Sequence, residues 1–152
     1  MTYTACVEAW SKVEPEIRAC SERHYEELGQ DKEHMPLDMD WDEIRRRDSF
    51  GELHVVVVRN DGDLIAYHCS FLFRALHYRS VLVSVSDVYW VKPEHRKTGA
   101  GHLLFQELER SCKARGVKLL KDAYKTYQDN GKFFESLGYR HLEKVVTKWI
   151  GD

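Results

Sequence analysis

Residues 81–91 (VLVSVSDVYWV) alternate with a period of two, the turn Thr98-Gly99-Ala100-Gly101 follows, and Ala100, Leu103, Leu104, Leu108 and Cys112 then recur at helical spacing up to Gly116. Residues 117–120 read as a short strand. A strand, a helix and a strand in this order force parallel pairing, because only a long crossover brings the chain back in the same direction. The chain therefore needs a sheet with at least one parallel pair and a helix over one of its faces.

Upstream, residues 53–59 (LHVVVVR) and 64–73 (LIAYHCSFLF) are rich in β-branched and aromatic side chains. Asn60-Asp61-Gly62-Asp63 between them signals an antiparallel hairpin. Residues 4–10 predict a first strand. Ser11 to Glu14 has the pattern of a capping box, Pro15 falls in the first turn, and Val13, Ile17, Cys20 and Leu28 carry a helix to Gly29, where a left-handed residue is expected to end it. A polar loop with Pro36 precedes a shorter helix over 41–50, ending near Gly51. Asp129 or Asn130 caps a further helix through Phe133, Phe134 and Leu137 that stops at Gly138. Residues 139–150 predict a final extended segment, bent or split into two strands. Hairpins first and the crossover second imply a mixed sheet with helices on both faces, and 152 residues fit a single domain over 1–152.

Composition narrows the partners. A formal net charge of -2 argues against a general polyanion-binding surface, so nucleic acid is not expected. Cys6, Cys20, Cys69 and Cys112 are far apart, with no CxxC pair and no zinc spacing, and read as reduced thiols without a metal. No segment approaches the roughly 20 apolar residues of a membrane span, and residues 1–16 lack a basic and apolar leader. A cytoplasmic protein, away from membranes and compatible with a homodimer, is expected. Arg45, Arg46 and Arg47 have two readings: a solvated helix face, or a patch steering an acidic partner or cofactor phosphates.

The glycine turn has its own chemistry. A helix N-terminus exposes free N–H groups and the positive end of the macrodipole, ready for phosphate. Side chains at 99 or 101 would crowd an anion lying on those groups, while Arg96 and Lys97 add positive charge. A dinucleotide fingerprint would need a third glycine and an early position, a P-loop would need GxxxxGK, and neither is present. A tight turn allowing close packing stays open.

The stretch VKPEHRKTGAGHLL resembles the acyl-CoA pyrophosphate loop of the GNAT superfamily of N-acetyltransferases, with Arg96, Gly99 and Gly101 on its [RQ]xxGx[GA] pattern. DNGKFFESLGYR resembles the second signature of that family, and LHYRS and the closing TKW are similar to members encoded in bacteriophage genomes. The resemblance implies a GNAT-like twisted, mixed α/β sheet of six or seven strands, helices on both faces and a splayed parallel pair at its centre. It implies acetyl-CoA as co-substrate, with the backbone of Tyr89, Trp90 and Val91 against the pantetheine, Lys97, Thr98, Gly99, Ala100 and Gly101 under the pyrophosphate, and Asn130 and Phe134 as further cofactor contacts. The acceptor would be an amine on a small molecule or a protein lysine or N-terminus.

Transfer requires a neutral amine, and Asp87, an acid on an otherwise apolar strand face shared with Tyr89 and Val91, is the first candidate base. It equally reads as an acceptor that only orders a loop. His77 and Tyr78, in the turn before that strand, are runners-up. The oxyanion donor is a backbone N–H near Val91. Many members protonate the leaving thiolate with a Tyr where this chain has Phe134; Tyr124, Tyr127 or Tyr139 would substitute, or the thiolate leaves unprotonated. The missing Tyr motivates a rival reading, a non-catalytic acyl-CoA sensor or scaffold.

Overall fold

The computed structural model describes residues 2–152 and has one five-stranded sheet in the order β1-β2-β3-β4-β5. The strands are β1 (Tyr3–Val7), β2 (Leu53–Asn60), β3 (Asp63–Ala75), β4 (Tyr78–Val91) and β5 (Val117–Lys121). The helices are α1 (Trp10–Leu28), α2 (Trp41–Ser49), α3 (Ala100–Ala114) and α4 (Gly131–Ser136). β1 to β4 pair antiparallel in sequence order, and β4 pairs parallel with β5 through the α3 crossover. The parallel pair was expected at the centre of the sheet; it lies at one edge because β5 is the last strand.

Two cores sandwich the sheet. On one face α1 buries Trp10, Val13 and Ile17 against Val55, Val57, Tyr67 and Trp90, with Trp41 and Ile44 of α2 packed alongside. On the other, Leu104, Phe105, Leu108 and Cys112 of α3 and Phe134 of α4 pack on Val56, Val58, Ala66 and Leu72. Each fully buried side chain of this size contributes about 1.5–3 kcal/mol. Arg59 of β2 ties the first strand to α1 by pairing with Glu8 at 2.8 Å and Glu16 at 2.7 Å. The hydrogen bond from Arg59 lowers the Glu8 pKa to about 2.

Several local expectations need correction. α1 starts at Trp10 behind Ala9 with no side-chain cap, and Glu14 bonds Arg18 and Arg45 instead of closing a capping box. Pro15 consequently falls inside the helix rather than in its first turn. Gly29 ends α1 at φ -57°, not in the left-handed region; glycine is needed because a Cβ would lie 2.6 Å from the Tyr25 carbonyl oxygen. Arg45, Arg46 and Arg47 are paired with Glu14, Asp42 and Glu43, which makes them an ion-paired helix face.

The largest difference concerns the C-terminus. Residues 139–152 form no strand, so the sheet has five strands rather than six or seven. Leu142, Val145, Val146 and Ile150 are exposed, and beyond Tyr139, whose N–H donates to the Phe134 carbonyl, the segment is held through side chains: His141 to Tyr124, Glu143 to Lys121, Trp149 stacked on His34. High β-propensity requires a half-buried pleated surface to act upon, and this segment has none. No described helix is long and apolar enough to cross a membrane, and no group of three potential metal ligands occurs among the described residues.

Candidate active site

β4 and β5 part company early. Their pairing runs from Leu82 opposite Val117 to Val85 opposite Lys121 and stops there, although β4 continues to Val91. Beyond Val85 the outer edge of β4 faces a gap. On its inner edge the Lys92 N–H donates to the Ile65 carbonyl, so by antiparallel alternation Trp90 bonds β3 while the N–H and C=O of Tyr89 and Val91 point into the gap. The Val91 carbonyl accepts a 3.0 Å bond from Arg96 Nε.

One residue rearranges the strand at that point. Cys69 opposes Val88 and Ser70 opposes Ser86, which leaves Asp87 as the extra residue of a β-bulge. The bulge resets the alternation. Leu82 before it and Tyr89 and Val91 after it all pack on the α3 face, whereas Val88 and Trp90 pack on the α1 face. Asp87 therefore does not share a face with Tyr89 and Val91, as simple alternation predicts. It sits at the rim of a small cleft on the α1 and α2 side, with Trp10, Met39, Ile44, Cys69 and Phe71. Its residue surface is exposed, yet the protein around the carboxyl desolvates it and raises its pKa, an effect that Arg47 partly offsets.

The glycine turn closes one end of the gap. Gly99 has φ +92° and caps α3 with no side-chain bond, and Lys97 is also left-handed at φ +61°. The first intrahelical bond joins the Leu103 N–H to the Gly99 carbonyl. The amides of Ala100, Gly101 and His102 are thus left without helical acceptors, in a concave loop with exposed Lys97 and Thr98 beside them. The two glycines serve different ends. Gly99 supplies the backbone angle, while a Cβ at Gly101 would stand 3.4 Å from the Phe133 ring, room for a methyl group in contact but for nothing larger on that side.

Arg96 turns inward. Its guanidinium pairs with Glu27 of α1, and Glu27 also accepts from Trp90 Nε1 at 3.1 Å and from Gln128 at 3.3 Å. Burial raises the Glu27 pKa, but these donors outweigh it and hold the carboxyl below its ordinary value. Nearby, His24 stacks on Trp90 and bonds the Tyr67 hydroxyl at 2.7 Å, and burial lowers its pKa to about 4. Neither Glu27 nor His24 is marked by a local motif; both lie on the α1 stripe facing β4.

The α3 side of the gap is aromatic. Phe134 is 5% exposed and meets Tyr89 and Phe105 edge-on at 5.8 and 5.2 Å. Tyr89, pushed up to about 12 by burial, donates its phenol to the Ala123 carbonyl at 2.7 Å, with Asn130 beside it. Tyr139 donates to Asp122 at 2.8 Å, Tyr127 donates to the Leu28 carbonyl at 2.8 Å, and Tyr124 shares a 2.8 Å bond with His141. His77 and Tyr78 are exposed at the β3–β4 hairpin tip. At about 3.3 Å per residue, the strand from His77 to Ser86 is roughly 30 Å long. The structure thus brings Asp87, Tyr89, Trp90, Val91, the turn, Asn130 and Phe134 around one gap and leaves His77 apart.

Residues 10–139 match the model of the acetyltransferase (GNAT) family. The chain belongs to that family. No curated protein matches this GNAT chain in sequence. Among solved structures, the ribosomal-protein-alanine N-acetyltransferase of Brucella melitensis biovar Abortus 2308 superposes with a TM-score of 0.77 at 14% identity, covering 100% of both chains. An aminoglycoside acetyltransferase from an uncultured soil metagenomic sample gives 0.76 at 15% identity over 100% of this chain and 99% of the other. Glucosamine-6-phosphate N-acetyltransferase from Arabidopsis thaliana gives 0.72 at 15% identity over 99% and 100%. At such identities the likeness is one of fold alone.

Proposed function

We propose that this GNAT protein transfers an acetyl group from acetyl-CoA to a primary amine, on a small molecule or at a protein lysine or N-terminus, by direct attack in a ternary complex. The observation that carries the reading is the gap beyond Val85 and Lys121, lined by backbone groups of Tyr89 and Val91 and ending at the uncapped amides of α3. An extended amide-bearing arm would satisfy the strand edge, and a pyrophosphate the helix terminus. Bound there, acetyl-CoA supplies an activated thioester carbonyl.

The residues of the chain divide the remaining work. The Val91 N–H, facing the gap, serves as the oxyanion donor. Asp87 takes a proton from the incoming ammonium, whose ordinary pKa is near 10, and its raised pKa makes it a stronger base than an exposed carboxylate. The bulge directs Asp87 toward α1 and α2, so the acceptor approaches from that side. Phe134 has no proton to give, and the hydroxyls of Tyr124, Tyr127 and Tyr139 are committed elsewhere. The thiolate leaves unprotonated, tolerable for a thiol of pKa about 8.5, and the second proton of the amine, shed after attack, passes to solvent.

That lack of a free phenol also favours a second reading, a non-catalytic acyl-CoA sensor or scaffold. Release of free thiol from acetyl-CoA on addition of amines separates the two. Mass spectrometry of host lysate incubated with labelled acetyl-CoA, with and without the protein, extends the search to protein acceptors. Binding of acetyl-CoA with no thiol release above the hydrolysis background from any amine or lysate protein would refute the enzymatic reading. The acceptors named for the structural relatives are as different as a ribosomal protein, aminoglycosides and a sugar phosphate, so the fold leaves the choice to the loops over 30–51 and 76–80.

A further inference from the structure

Where the ladder between β4 and β5 has failed, a side-chain bridge still joins the two sides. His68 stands on β3 opposite Tyr89. Its imidazole lies under the Tyr89 ring, inclined by 12° with centroids 6.0 Å apart, and its Nε2 comes within 2.6 Å of Asp122 Oδ1. Asp122 directly follows β5. A side chain of the third strand thus reaches past the fourth and grips the fifth one residue beyond its last pairing, Lys121 with Val85.

Both carboxylate oxygens are engaged, because Oδ2 accepts the 2.8 Å bond from Tyr139, the residue that follows the α4 turn. The pair is sealed from water, with 0% of the His68 side chain and 2% of the Asp122 side chain exposed. Phe105 of α3 stands edge-on to both His68 and Tyr89. His68 Nδ1 has no protein partner, so the tautomer that leaves no orphan N–H carries its proton on Nε2, toward Asp122. For stability alone a well-packed apolar pair would serve about as well as such a buried polar one. A hydrogen-bonded pair adds a fixed length and direction, here between strands that share no backbone bonds at that level.

We propose that His68, Asp122 and Tyr139 form a positioning tie that sets the width of the gap between β4 and the chain after β5, and thereby the fit of the acyl-CoA arm. The proposal rests on the acyl-CoA reading of the gap. It gives Tyr139 a positioning role in place of proton donation.

The test compares Asp122→Asn, His68→Leu, His68→Gln and Tyr139→Phe with Ser111→Ala, which breaks the buried His54 to Ser111 bond between α3 and β2. Calorimetric CoA binding, the KM and kcat for acetyl-CoA, and amide hydrogen exchange of the free proteins are measured. Asp122→Asn and His68→Leu are expected to weaken CoA at least tenfold, to raise KM more than they lower kcat, and to speed exchange at 89–91 and 122–124. His68→Gln, whose amide offers a donor in place of Nε2, restores part of the loss. Ser111→Ala lowers Tm without these effects.

Wild-type CoA affinity and exchange in Asp122→Asn and His68→Leu would overturn the tie, as would changes that merely track Tm as in Ser111→Ala. Should the charged-site variants fail to fold, Tyr139→Phe, which removes one hydrogen bond and no charge, supplies the same readouts. Failure of the wild-type protein to bind CoA would refute the acyl-CoA reading instead. Exchange in the free proteins then decides the tie alone: faster exchange confined to the two segments supports it, and unchanged exchange removes it.

Discussion

Arg96 and Glu27 form an ion pair between the glycine-turn loop and α1, which commits the signature arginine to the scaffold. Their side chains are 32% and 25% exposed, so removing one partner leaves a partly desolvated charge. Glu27→Ala is expected to cost about 1–2 kcal/mol in urea unfolding. Lys97→Ala, at an exposed loop cation, should leave stability unchanged and flatten the salt dependence of CoA binding, measured by titration at several ionic strengths.

The two glycines of the turn should respond differently to substitution. At Gly99, φ +92° makes any β-branched residue strained, and Gly99→Val is expected to lose at least tenfold in CoA affinity with about 1–3 kcal/mol of stability. Gly101→Ala places its methyl in ordinary contact with Phe133 and should keep both within threefold. Gly101→Leu displaces Phe133 and should lose both. Calorimetry on the three variants checks the distinction.

A proton acceptor with a raised pKa leaves a signature in the rate. Activity should climb with pH as Asp87 ionises, at a midpoint above the ordinary carboxylate range. Asp87→Asn should bind CoA like the wild type, lower kcat/KM about 100-fold or more, and lack that acidic limb. A pH–rate profile of both proteins reads the result.

Stability should weaken well before ordinary carboxylates titrate. Burial lowers the pKa of His24 and His54 to about 4, so the unfolded chain, with histidines near 6.5, binds more protons than the native protein between those values. The stabilisation is present above pH 6.5 and is lost as pH falls through the folded value of about 4, with an uptake on unfolding approaching about two protons. Glu8, lowered to about 2, extends the loss below its unfolded value of 4.5. Urea titrations from pH 7 to 4 give the slope, and His54→Gln should reduce it by about one proton.

The elements that position the site were legible in the sequence to within a few residues, because the β-branched run of 53–59, the alternation of 81–91 and the apolar stripe of α3 are strong signals. The glycine turn was legible for the same local reason, with its cap, its glycine and its loop contiguous. Asp87 was singled out but grouped with Tyr89 and Val91 on one face, since an alternating pattern does not announce an extra residue. His68 and Asp122 were invisible: a lone strand histidine and an acid 54 positions later become a pair only when the sheet brings them together. The C-terminal segment misled because its valines have strand propensity but no surface to pack on.

The bulge at Asp87 has a genetic corollary. Losing that one codon would make Ser86 and Val88 direct neighbours opposite Ser70 and Cys69, restoring regular alternation with Tyr89 and Val91 still toward α3 and Trp90 still toward α1. Both faces would keep their linings, and only the carboxylate and the local bend would go. Homologues one residue shorter at this point should therefore keep Tyr89 and Val91 on the α3 face, whereas insertions and deletions of other lengths should gather at the hairpin tip near His77.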